Sequence, residues 1–207
     1  MVEASTGPTS AGVDLYWLPL GAGGHSVRWN GRIYEAVSAM LERRSASKLY
    51  HSALVVHVPP RSFVVEMTPV WNVADCDRGV FAEGAVGTRW AGRWRLFRYE
   101  VHCWPNGTIA DIAEAVSSPI RLTSDAADCR RLLAELRALP TPVWGRDELR
   151  TGEMWNSNSV IAWALERGGL DANAVQPPTG GRAPGWNAGV VVARADDGSF
   201  SRPRNVY

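Results

Sequence analysis

YHSALVVHVPPRSFVVEMT, from Tyr50 to Thr68, is two runs rich in branched residues on either side of a Pro59-Pro60 pair. Valine and the aromatic residues favour a pleated backbone, and proline cannot continue a ladder. The stretch therefore predicts a β-hairpin with arms 50–58 and 61–68. Side chains alternate across a strand, so His51, Ala53, Val55 and His57 share one face of the first arm. On the second arm Glu66 interrupts an apolar run, and a carboxylate buried there needs a partner.

Working outward, Asp14 to Leu20 reads as a short strand stopped by a glycine turn at 21–24, and Ile33, Val37, Met40 and Leu41 give residues 30–44 a helical period. Residues 70–88 read as irregular chain. Residues 93–103 read as a strand with Phe97, Tyr99, Val101 and Cys103 on one face. A short helix is expected within 109–116, and a longer one from Ser124 through Leu132, Leu133 and Leu136 to the prolines at 140 and 142. Another helix follows Asn156 and stops at Gly168-Gly169, with Leu170 placed as the hydrophobic residue of a Schellman end. Ala188 to Ala193 reads as a late strand. The expected architecture is one α+β domain over residues 13–195, a mainly antiparallel sheet packed against a few helices, with tails at 1–12 and 196–207.

Composition narrows the function classes. The net charge of +1 gives no general pull toward nucleic acid or an anionic membrane. Arg89, Arg93, Arg95 and Arg98 lie among Trp90, Trp94 and Phe97; with so many acids elsewhere, they predict an arginine-lined strand edge or an anionic-substrate contact. The three cysteines form no Cys-x-x-Cys pair, which argues for a reducing, cytoplasmic setting and against structural zinc. No spacing calls for a metal or another cofactor. No apolar run reaches membrane-spanning length, and the start lacks the pattern of a signal peptide. Ten tryptophans are unusual for this length, and Trp71, Trp155 and Trp186 are candidates to line a substrate groove.

The chemistry centres on Asn156-Ser-Asn-Ser159, which opens the helix ending at Gly168. Ser157, Ile161, Ala164 and Gly168 fall on one helical stripe, so Ser157 points inward. A hydroxyl at a helix N-terminus sits among unpaired N–H groups that would steady an oxyanion. Asn and Ser are also the preferred helix caps, and capping alone accounts for the pattern. A serine nucleophile needs a base, for which His51 is the candidate, and Glu66 would fix its tautomer. Cys103 and Cys129 fall on buried stripes, and Cys76 lies between two aspartates, so none is a nucleophile candidate.

The order of Tyr50-His51-Ser52 on a strand, a neighbouring strand, and a late Trp155-Asn156-Ser157-Asn158-Ser159 opening a helix resembles the circularly permuted papain-like hydrolases of the NlpC-type superfamily, including the lecithin:retinol acyltransferase-like and PPPDE-like branches. The likeness spans residues 14–170 in layout. It implies a papain-like fold with His51 as base and Ser157 where those families carry cysteine. The implied activity is hydrolysis or acyl transfer on a peptide, acyl or small-molecule amide, ester or thioester. Asn156, with the Ser157 N–H, would hold the oxyanion. The serine leaves three alternatives: a true serine enzyme, a catalytically inactive papain-like binding module, or an engineered cysteine-to-serine form.

Overall fold

A computed structural model describes residues 8–20, 48–70, 79–109 and 111–195. The expected hairpin is its centre. Strands β2 (Lys48–Val58) and β3 (Arg61–Pro69) pair antiparallel from Val58↔Arg61 to Leu54↔Val65. Strand β1 (Gly12–Pro19) pairs with β2 along its whole length, from Gly12↔His57 to Pro19↔Tyr50. On the other side β5 (Arg98–Pro105) pairs with β3, and β4 (Val80–Ala85) covers the edge of β5. With β6 (Ile120–Thr123) on β1, the order among the described residues is β4-β5-β3-β2-β1-β6. A two-residue strand β7 (Gly181–Arg182) runs parallel to Lys48 and Leu49, and Val86 forms an isolated parallel bridge with Trp144; the other strand pairings among the described residues are antiparallel.

Among the described residues three α-helices, α1 (Ala126–Glu135), α2 (Ser157–Arg167) and α3 (Trp186–Ala195), cover one face. Their apolar residues form one core with Val13, Leu15, Trp17, Leu54, Val56, Val65, Tyr99 and Val101. Helix α2 is central: every residue from Ser157 to Leu165 is buried, so the single inward stripe widens to the full circumference. It ends as expected, with Gly169 at φ +83° and bonds from Leu170 N–H to Leu165 C=O and from Gly169 N–H to Glu166 C=O. A smaller cluster of Leu18, Ala53, Val64 and Ile109 packs on the opposite face of the sheet.

Four expectations are corrected. Ala188 to Ala193 lies in helix α3, not a strand. A short valine run is ambiguous by period, and here Gly189, Val190 and Ala193 face inward at helical spacing while Val191 is exposed. The strand expected over 93–103 begins only at Arg98, after two 3-10 turns, Trp90–Arg93 and Arg95–Phe97. It starts where β3 and β4 both supply partners, at Tyr99↔Pro69 and Arg98↔Ala85. The chain read as irregular contains β4, whose Gly84 makes room for the Tyr99 ring. The region expected as a short helix over 109–116 forms a 3-10 turn at Ile112–Glu114. The helix expected over 30–44 and the turn at 21–24 lie outside the described residues. Among those residues no helix is long and apolar enough to cross a membrane.

Helices α2 and α3 meet backbone to backbone, since a Cβ on Gly189 would lie 2.1 Å from the Ser159 carbonyl oxygen. Gly189→Ala should therefore lower stability by about 2 kcal/mol or more, because neither helix can retreat without opening the core. Urea unfolding of the two proteins measures the difference.

Candidate functional site

The first turn of α2 is a dense polar joint. Asn156, in extended backbone, accepts from the N–H groups of Asn158 (2.9 Å) and Ser159 (3.3 Å), while the Ser159 hydroxyl accepts from the Asn156 N–H at 3.0 Å. That reciprocal pair is a capping box with Asn and Ser in its two places. The cap is tied in turn to the loop before α3: Asn156 Nδ2 donates to Pro184 C=O at 2.8 Å, and Ser159 Oγ donates to Gly185 C=O at 2.7 Å.

Asn158 reaches the other way, into the sheet. Its Nδ2 donates to Tyr50 C=O at 2.9 Å and Pro184 C=O at 3.0 Å, and its Oδ1 accepts from Ser52 Oγ at 2.9 Å. The reason lies in the register. Pairing of β2 with β3 stops at Leu54↔Val65, so Tyr50 and Ser52 have no ladder partner on that side. Leu49 C=O already accepts from Leu20 N–H toward β1, which turns the next carbonyl, Tyr50's, toward the gap. A buried carbonyl needs a donor, and the Asn158 amide supplies it.

The proposed triad does not assemble in this arrangement. Ser52 and Tyr50 face α2, so alternation turns His51 to the opposite face, the one shared by Ala53 and Leu18. Glu66 lies on that opposite face too, but its register partner on β5 is His102 rather than His51. His102 is buried beside Thr68 Oγ1 (3.1 Å) and Glu100 Oε2 (3.3 Å). Ser157 is 7% exposed. Among the described residues no hydrogen bond joins it to His51, and the hydroxyl and backbone N–H of Ser157 make none at all. Asn156 positions the helix, but its carbonyl is spent on the cap and its amide on Pro184, so the oxyanion role assigned to it is corrected to a structural one.

The tryptophan expectations change as well. Trp155 is 2% exposed and belongs to the core. Trp186 packs on Trp17 with ring centroids 5.1 Å apart and donates its Nε1 hydrogen to Ala172 C=O at 3.1 Å. Trp155 also borders a small recess beside Arg146, Asp147 and Leu149, and Trp71 lies outside the described residues. Burial pushes the Cys103 thiol up to about 11 and raises that of Cys129, so both stay protonated. Among the described residues no three His, Cys, Asp or Glu side chains are grouped to hold a metal. Sequence reasoning also missed a buried charge. Asp14 meets both Arg121 Nε (2.5 Å) and His57 Nε2 (3.0 Å), so His57 is a strand residue with a carboxylate partner. No family model, curated protein or solved structure matches the chain.

Two outcomes follow from this joint. Asn158→Ala strands the Tyr50 carbonyl and the Ser52 hydroxyl and should cost about 2–4 kcal/mol, whereas Ser157→Ala should stay within about 0.5 kcal/mol; chemical denaturation separates them. Desolvation lowers the His51 imidazole from 6.5 to about 4, so it is neutral at pH 7. As pH falls between those two values the unfolded chain takes up a proton that the folded chain refuses, and stability declines. Going from pH 7 to about 4.5 should therefore destabilise the protein by about 2 kcal/mol more than it destabilises His51→Gln, read from paired unfolding curves.

Proposed function

We propose that the chain is a binding module, with the α2 doorway serving as a structural clasp. The supporting observation is the placement of His51 on the sheet face away from α2, while Asn156, Asn158 and Ser159 are fully engaged in joining α2, β2 and the Pro184-Gly185 loop. A serine hydroxyl is too weakly acidic to attack without a base within hydrogen-bond reach. In this reading the resemblance to permuted papain-like hydrolases is one of layout, and the serine marks a site that no longer cleaves. Partners are peptides, acyl chains or other surfaces met by exposed side chains rather than at Ser157.

The second reading is a serine acyl hydrolase or acyltransferase. It is favoured by one observation: the Ser157 hydroxyl and N–H have no hydrogen-bond partner among the described residues, at a helix N-terminus where an oxyanion is stabilised. A fluorophosphonate probe with an ester-turnover assay decides between them. The binding reading expects neither labelling at Ser157 nor turnover in the folded protein. Labelling abolished by both Ser157→Ala and His51→Ala overturns it in favour of the enzyme. Ser157→Cys serves as control: rapid alkylation at pH 7 would reveal an activated position, and ordinary thiol reactivity fits a clasp.

A further inference from the structure

We propose that the segment Trp90–Phe97, between β4 and β5, is a docking surface for an anionic phospholipid bilayer. It contains four of the large apolar side chains that the molecule leaves in solvent: Trp90 (65% exposed), Trp94 (50%), Leu96 (52%) and Phe97 (41%). Single exposed apolar residues are ordinary, but four within eight positions form a patch of the kind that marks a contact site. The rings touch in series, Trp90 to Trp94 at 4.7 Å and Trp94 to Phe97 at 6.5 Å, both edge to face.

The base of the segment is held firmly. Gly87 N–H donates to Trp144 C=O at 3.0 Å, Arg146 Nε donates to Gly87 C=O at 2.7 Å, and Thr88 Oγ1 accepts from Ala91 N–H at 3.2 Å. Gly92 lies against Ala85, where a Cβ would come within 2.7 Å of the alanine side chain. The aromatic cluster is thus presented ready-made, with little ordering left to be done on contact.

Charge selects the occupant. From Gly84 to Tyr99 the chain carries four arginines and no acidic residue. The outer two are spoken for, Arg89 by Glu148 (2.8 Å) and Arg98 by Glu83 (2.5 Å). Arg93 and Arg95, in the middle of the apolar cluster, are exposed and have no carboxylate partner among the described residues. Tryptophan at headgroup depth with arginine on phosphate is the pattern of an interfacial contact. Because the rings lie against one another, they do not offer separate faces at the spacing of successive bases, which argues against single-stranded nucleic acid. An exposed aromatic cluster also suits a deformable lipid surface, which needs no matching pocket.

This inference deepens the binding reading and rests on it. Its test reads lipid partitioning, so its failure is distinct from the appearance of Ser157 labelling. The full chain is sedimented with vesicles of phosphatidylcholine alone and of phosphatidylcholine mixed with phosphatidylglycerol. The expected result is partitioning onto the mixed vesicles about tenfold or more above the neutral ones, weakened by salt. Trp90→Ala with Trp94→Ala should reduce that partitioning about tenfold. Arg93→Glu with Arg95→Glu should abolish the preference for anionic lipid. The arginine pair is exposed and substitution there leaves the core untouched, so it decides the matter should the tryptophan variant unfold. No sedimentation of the native chain, or sedimentation unchanged in the arginine variant, overturns the proposal. So does binding to a labelled single-stranded oligonucleotide that the variants abolish while vesicles are ignored.

Discussion

The Asn158 amide reaches from the first turn of α2 into the gap where β3 leaves β2, and much of the architecture depends on that reach. A sheet that splits exposes the N–H and C=O groups of the strands it separates, and buried polar groups without partners are costly. Here a side chain takes the place of a strand. The same amide touches Pro184, so one residue connects the central hairpin, the central helix and the loop that launches α3. Asn156 and Ser159 reinforce the connection from the helix side. Polar residues in a fully buried position are tolerated because nearly all their capacity is used.

That economy explains why the doorway is ambiguous in the sequence. A helix N-terminus attracts oxygen-bearing side chains whether the demand is for a cap, an anchor or an oxyanion site, since all three exploit unpaired N–H groups and the helix dipole. The physical difference lies in what stands opposite. Here the residues opposite are Tyr50 and Ser52, with His51 between them and turned away. A one-residue difference in phase along β2 separates a clasp from a dyad.

What was legible in the sequence follows the range of the forces involved. The hairpin over Tyr50–Thr68 and the Schellman end at Gly169-Leu170 rest on local chemistry, and both appear where expected. The antiparallel α+β character followed from several such local readings. The valine run of α3 carried no local instruction, because its helix is set by contact with α2 at Gly189. The start of β5 depends on partners from β3 and β4 that lie far away in sequence. Site geometry was the least legible. Which face of β2 receives a helix is a tertiary choice, and the alternation that groups His51 with His57 does not say which group the helix will meet.

The two-residue strand β7 gives these contacts a temporal meaning. Gly181 and Arg182 lie beside Lys48 and Leu49, and the Tyr50 ring rests against Gly181, where any Cβ would fall 2.3 Å from it. Asn158 likewise contacts Tyr50, 108 residues earlier. Closing such long loops is entropically slow, and local hairpins form first. On a ribosome the hairpin and β1 would therefore emerge and wait with one apolar face uncovered until residues near 190 leave the exit tunnel. The uncovered interval lasts until α3 is made, and that helix is also the lid of the core.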